Sequence, residues 1–420
     1  MQSSIKLRLT VMNFLQFAVW GAYLTSMGRY LGTAGFGSEI GNFYAMQGLV
    51  SLFMPALMGI VADRWIPAQR LLGLCHMIAG MLMLGVFLYT QTETPSYPTL
   101  FALYSLSVAF YMPTLALSNS VAYTSLDQAG LDLVKSFPPI RVFGTVGFIC
   151  TMIAVSLLGL EATSGQFAVS AIISLVLAVY AQTLPNCPTA PKGQSKSLVE
   201  ALGLRAFVLF KQRKMALFFI FSMLLGVSLQ ITNGFANPFI STFGEIPAYA
   251  DTFGVKYANI LISLSQLSET LCILLIPFAL RRFGIRRVML IAMTAWVLRF
   301  ALLGLGDPGS GVWLFLLSMI VYGVAFDFFN VSGSLFVDKE TDPSIRSSAQ
   351  GLFMIMTNGI GATLGSLGAQ AVINYFVNSE HDTTAILAGW SMSWYVFAAY
   401  AAVVTVLFAL LFRYKTETEA

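Results

Sequence analysis

Apolar residues run in long stretches along this chain, separated by short clusters of charge, glycine and proline. The stretches show neither the alternation of a half-buried strand nor the one-sided stripe of a soluble helix. About 20 apolar residues cross a bilayer as a helix. The pattern predicts twelve such helices, near 9–31, 40–62, 71–90, 99–124, 137–160, 165–184, 214–241, 257–280, 288–305, 312–337, 347–376 and 386–412. The expected fold is an all-α polytopic membrane protein. The first run follows Lys6 and Arg8 directly, continues to about Leu31 and has no small-residue cleavage site, so it reads as a retained first helix.

One long connection, about Pro185 to Arg213, carries Pro185, Pro188 and Pro191 with Lys192 and Lys196. It reads as a cytoplasmic linker, 185–213, between an N-terminal six-helix half, 1–184, and a C-terminal six-helix half, 214–420. The halves echo each other. Val108-Ala109-Phe110 matches Val324-Ala325-Phe326, and Pro138-Pro139-Ile140-Arg141 matches Pro343-Ser344-Ile345-Arg346. Such echoes mark an internally repeated transporter with two pseudo-symmetric halves. With the N-terminus inside, 20 of the 23 Lys and Arg residues fall on inner loops or adjoining helix ends. Arg29, Lys256 and Arg299 are the exceptions. Positive residues are retained in the cytoplasm, so both termini are expected there.

Composition sharpens this picture. Of 420 residues, 57% are hydrophobic and 10% charged, and the mean hydropathy is +0.77, so the membrane is the solvent of the whole chain. The net charge of +4 comes from scattered basic clusters that offer nucleic acid no continuous surface. Cys75, Cys150, Cys187 and Cys272 lie far apart, with no disulfide framework and no zinc spacing. There is no Walker A segment, no His-Glu-x-x-His and no Gly-x-Ser-x-Gly, so no metal, cofactor or motif-bearing hydrolase is expected. No obligatory protein partner is evident either.

Gly59-Ile60-Val61-Ala62-Asp63-Arg64 after the second helix and Arg281-Arg282-Phe283-Gly284-Ile285-Arg286-Arg287 after the eighth resemble the gating loop of the major facilitator superfamily. Ile66 and Pro67 replace that loop's second glycine and following arginine. The resemblance implies the major facilitator fold and a role in conformational gating for Gly59, Asp63 and Arg64.

Charge within apolar sequence is the sharpest chemical signal, because a centred ionised group is disfavoured by about 2.5–3.5 kcal/mol on insertion scales. Glu269 and Asp327 are the acidic residues deepest in such sequence, and Arg141 and Arg299 the comparable bases. Arg299, near a helix end, is expected to snorkel toward headgroups. Around these charges, Arg141, Thr145 and Phe148 share a helix face, as do Gln230 with Asn233, Gln266 with Glu269, and Tyr322 with Phe326 beside Asp327. Amides pair with both edges of a heteroaromatic base, carboxylates accept from sugar hydroxyls, and aromatic rings cover a flat ligand. A neutral, polar, planar solute fits this chemistry, although amide pairs also glue helices and buried charges also form structural ion pairs. Gly359, Gly361, Gly365 and Gly368 read as close helix packing, and His76 and His381 as incidental.

Longer words are more specific. Phe137-Pro138-Pro139-Ile140-Arg141, Leu229-Gln230-Ile231-Thr232-Asn233, Ser265-Gln266-Leu267-Ser268-Glu269-Thr270 and Val321-Tyr322-Gly323-Val324-Ala325-Phe326-Asp327-Phe328-Phe329-Asn330 resemble the bacterial nucleoside:proton symporter family. Phe14-Leu15-Gln16-Phe17 and Ser348-Ala349-Gln350-Gly351 do so too. The resemblance implies a multi-pass protein of the bacterial inner membrane that imports nucleosides by proton symport through alternating access. Arg141, Thr145, Phe148, Gln230, Asn233, Gln266, Glu269, Tyr322, Phe326 and Asp327 would bind substrate. Asp327, Glu269 and Arg141 would couple the proton, since desolvation favours a neutral carboxyl and a nearby guanidinium an ionised one. Another neutral solute such as a sugar would use the same groups. A polytopic membrane enzyme or receptor is the more distant alternative.

Overall fold

The computed structural model describes residues 2–92, 94–189, 204–343 and 345–414, all of them helix, turn or coil. Linker residues 190–203, with Lys192 and Lys196, lie outside the described residues, as do Ser344 and Lys415. In chain order the helices are α1 Gln2–Gly21, α2 Met27–Thr33, α3 Ile40–Ser51, α4 Met54–Arg64, α5 Ala68–Tyr89, α6 Tyr97–Gln128, α7 Leu133–Leu157 and α8 Gly165–Tyr180. There follow α9 Arg213–Leu229, α10 Ile231–Thr242, α11 Phe253–Lys256, α12 Ala258–Leu305, α13 Val312–Glu340, α14 Arg346–Met354, α15 Ala362–Phe376 and α16 Thr383–Leu411.

Among the described residues, ten helical stretches are long and apolar enough to cross a membrane. One of them, α12, is two helices. Gly284 interrupts it at φ 74° and ψ 165°, a conformation that glycine alone adopts readily. Arg299 Nη1 lies 3.3 Å from Ser265 Oγ, 34 residues earlier, so the two parts of α12 pack side by side. With α1 and α2 as the first crossing, the spanning segments among the described residues number twelve.

The first crossing departs from expectation. It starts at Gln2 and breaks over residues 22–26, where Ser26 Oγ leaves the helix to donate to Gln166 Oε1 at 3.0 Å. The second crossing also breaks, between α3 and α4. Pro55 in the first turn of α4 lacks an N–H and would clash with the preceding turn, so the helix must restart. The eleventh crossing joins α14 to α15 through a π-helical segment, Ile355–Gly361.

The chain folds as two compact units, one of Met1–Tyr30 and Leu49–Leu202, the other of Leu31–Gly48 and Gly203–Ala420. In the first, α7 packs backbone to backbone on α1. A Cβ on Gly147 would sit 2.1 Å from the Phe14 carbonyl oxygen. In the second, α15 lies as close on α9, where a Cβ on Gly365 would meet the Val227 carbonyl oxygen at 2.0 Å. Gly361 makes the same kind of approach to Met223. Gly368, also expected to pack closely, instead faces open space.

Candidate substrate site

In the first unit, the α1–α7 contact sets the surroundings of Arg141, Thr145 and Phe148. The Arg141 guanidinium lies 4.0 Å from the Phe17 ring centroid. Phe148 is 7% exposed and stands edge-on to Trp20, with ring centroids 6.3 Å apart. Trp20 in turn leans on Tyr111 at 6.1 Å. Thr145, one turn after Arg141, is half-buried. Gly59, Asp63 and Arg64 occupy the last turns of α4, where Gly59 has no neighbour that a Cβ would meet.

In the second unit, Gln230 sits at the junction of α9 and α10, and Asn233 Nδ2 donates to its Oε1 at 2.9 Å. Gln266 and Glu269 lie one turn apart on α12, both half-buried, and the Gln266 Oε1 atom is buried without a hydrogen-bond partner among the described residues. On α13, Tyr322 and Phe326 stack with centroids 5.6 Å apart and planes 17° from parallel. Asp327 is 5% exposed, and its Oδ2 is likewise buried without a hydrogen-bond partner. Its electrostatic neighbour is Glu269, and both carboxylates act on Tyr322. Buried polar atoms are nearly always paired in native proteins. The second unit thus holds two orphan acceptors, an amide pair and a stacked ring pair, groups that a polar, planar ligand could complete.

Two expectations need correction. Arg299 does not snorkel. It is 2% exposed, donating from Nη1 to the Ser318 carbonyl at 2.9 Å and from Nη2 to Thr232 Oγ1 at 3.1 Å, with its guanidinium 4.4 Å from the Tyr322 ring centroid. Acceptors deep in the unit outcompete the headgroups. His76 is not incidental. Fully buried, it bonds Gln16 Oε1 at 2.8 Å through Nε2 and Ser174 Oγ at 3.0 Å through Nδ1. Gln16 Nε2 continues the chain to Thr114 Oγ1 at 2.7 Å. Sequence reasoning also missed Glu161, a loop residue that is 3% exposed, paired with Arg29 at 3.2 Å and hydrogen-bonded by Ser156. An acidic residue 132 positions from its basic partner gives no local signal.

The twelve spanning segments give the chain the architecture of a multi-pass membrane protein of the major facilitator fold. Its likeness to an auto-inhibited peptide transporter of the POT family reflects that fold alone, with 16% identity, 99% of this chain and 97% of the other covered, and a TM-score of 0.69. Residues 3–417 match the family model described as "Nucleoside H+ symporter", and the chain belongs to that family. It is 50% identical to the xanthosine permease of Escherichia coli K12 over 99% of this chain and 98% of that one. It is 46% identical to the nucleoside permease NupG of the same strain, over 98% and 97%. A crystal structure of nucleoside transporter NupG superposes with a TM-score of 0.89 at 46% identity, covering 98% of this chain and all of the other. Proton-coupled nucleoside import is the function that this membership gives it.

Proposed function

We propose that nucleosides bind to Arg141, Thr145 and Phe148 of the first unit and to Gln230, Asn233, Gln266, Glu269, Tyr322, Phe326 and Asp327 of the second. The observation that carries this reading is that two acceptors of the second unit, Gln266 Oε1 and Asp327 Oδ2, are buried without a hydrogen-bond partner among the described residues, in the unit that also holds the Gln230–Asn233 amide pair and the Tyr322–Phe326 ring pair. Gln266 and the Gln230–Asn233 pair supply donors and acceptors for a base edge. Tyr322, Phe326 and Phe148 supply ring faces, and Glu269 accepts from ribose hydroxyls.

Asp327 and Glu269 carry the proton in this scheme. Both lie within apolar spanning helices, where an ionised group is disfavoured, and this is why these two carboxylates are assigned the proton. Arg141 of the first unit takes part in proton coupling, and Gly59, Asp63 and Arg64 take part in gating. The protein resides in the bacterial inner membrane with both termini cytoplasmic.

Uptake of uridine and xanthosine into proteoliposomes with an imposed pH gradient tests the scheme. Asp327→Asn or Glu269→Gln should still exchange nucleoside yet fail to concentrate it. Gradient-driven accumulation retained in both variants would remove these carboxylates as proton carriers. Competition by sugars as strong as by nucleosides would refute the substrate assignment, and reporter fusions read the side of each terminus.

A further inference from the structure

The second part of α12 brings a guanidinium into the interior of the second unit. Among the described residues, Arg299 makes no ion pair with any carboxylate, and its Nε is buried without a hydrogen-bond partner. A charge held at membrane depth without a counter-ion needs a reason. Its contacts supply one. Thr232 Oγ1, which accepts from Nη2 at 3.1 Å, lies in sequence between Gln230 and Asn233. Ser265 Oγ, which accepts from Nη1 at 3.3 Å, precedes Gln266 and stands one turn before Glu269. Tyr322, whose ring the guanidinium faces at 4.4 Å, stacks on Phe326 and is followed along α13 by Asp327. The helix of Arg299 is tied back as well, because Ser318 Oγ on α13 donates to the Arg299 carbonyl at 2.9 Å. One side chain thereby touches each of the three elements that bear the proposed recognition groups of this unit.

We infer that Arg299 is a positioning residue for nucleoside recognition, a buried fork that sets the mutual placement of α10, the first part of α12 and α13. It rests on the substrate assignment above but assigns a group outside that set, since Arg299 works through Thr232, Ser265 and Tyr322. The planar guanidinium fixes the angles between its acceptors and its ring partner, whereas a lysine ammonium on a flexible stem satisfies fewer of them at once. The side chain's charge is thus less informative than its shape.

Arg299→Lys is the discriminating variant, read by uridine transport in proteoliposomes with the amount of folded transporter measured separately. The KM for uridine should rise roughly ten-fold while the maximal rate per folded transporter stays within about two-fold, as expected when geometry is loosened without removing a binding group. A merely structural role lowers folded yield and unfolding temperature but leaves KM per folded molecule unchanged. That result overturns the inference. If Arg299→Lys does not fold, Thr232→Val replaces it, removing only the Nη2 acceptor. A several-fold higher KM then supports the role, and an unchanged KM overturns it. Gln266→Met is run alongside. If it binds uridine as wild type does, the substrate assignment fails and takes this inference with it. If it weakens binding while Arg299→Lys leaves KM unchanged, the positioning role alone fails.

Discussion

Replacing Gln266 by Met should weaken nucleoside binding without weakening the fold. Met preserves the length and much of the volume of the side chain and deletes only its polar end. The Gln266 Oε1 atom is buried with no hydrogen-bond partner among the described residues. A buried acceptor left unpaired is disfavoured by about 1–3 kcal/mol, so its removal relieves the ligand-free protein of that burden. Unfolding of the ligand-free variant should occur at the wild-type temperature or a few degrees above it. When nucleoside binds, the same atom gains a partner, and a typical net hydrogen bond of about 0.5–1.5 kcal/mol corresponds to a loss of roughly 2–13-fold in affinity. Titration of uridine into purified transporter gives the affinity. In a Cys150→Ala background, which removes the exposed thiol, a thiol-reactive fluorogenic dye gives the unfolding temperature, because Cys75, Cys187 and Cys272 are buried until the protein opens. Unchanged affinity refutes the role of Gln266 in recognition. Loss of affinity together with a lower unfolding temperature refutes the reasoning, since Gln266 would then be holding the unit together.

Other expectations are checked by the same unfolding assay. Gly365→Ala forces a Cβ to 2.0 Å from a backbone oxygen and should destabilise by about 1–3 kcal/mol, whereas Gly368→Ala meets nothing and should be neutral or stabilising. Equal stability of the two variants would contradict the close α15–α9 packing. Gln16→Leu leaves the buried His76 and Thr114 each short of a partner and should lower stability by about 1–3 kcal/mol per orphaned group. Glu161→Gln should lower it measurably by weakening the Arg29 contact, and an unchanged unfolding temperature would show that contact to be idle. Lys256 holds the Asp251 carboxyl below the usual carboxylate range, so any contribution of this pair is present above that range and lost only as pH falls through the depressed value. Both side chains are exposed, and Asp251→Asn should leave unfolding at neutral pH unchanged.

The spanning segments were legible because bilayer thickness imposes a length and an apolarity on each segment separately. The interruptions were less so. Pro55 announces the restart at α4, but the break over residues 22–26 depends on Gln166, 140 positions from Ser26, and no local pattern encodes that meeting. Helical spacing selected Gln230 with Asn233 and Tyr322 with Phe326, and the structure pairs both, because i,i+3 and i,i+4 neighbours share a face whatever surrounds them. It could not distinguish Arg299 from an interfacial arginine. Position along a helix reports depth, while acceptors 19, 34 and 67 residues away decide whether the charge stays inside. His76 was missed for the same reason, since its partners lie on other helices.

Arg299 also bears on how the chain is made. Synthesis proceeds from the N-terminus, so residues 288–305 reach the membrane after Thr232 and Ser265 but before Ser318 and Tyr322 do. Until those arrive, the arginine meets lipid with half of its eventual partners missing, against a penalty that insertion scales put at about 2.5–3.5 kcal/mol for a charge at the bilayer centre. The second part of α12 therefore settles at its final depth only when α13 follows, and biogenesis of this helix pair is a joint event. Glycosylation mapping should find the segment less completely integrated in a chain ended after Leu305 than in one ended after Glu340.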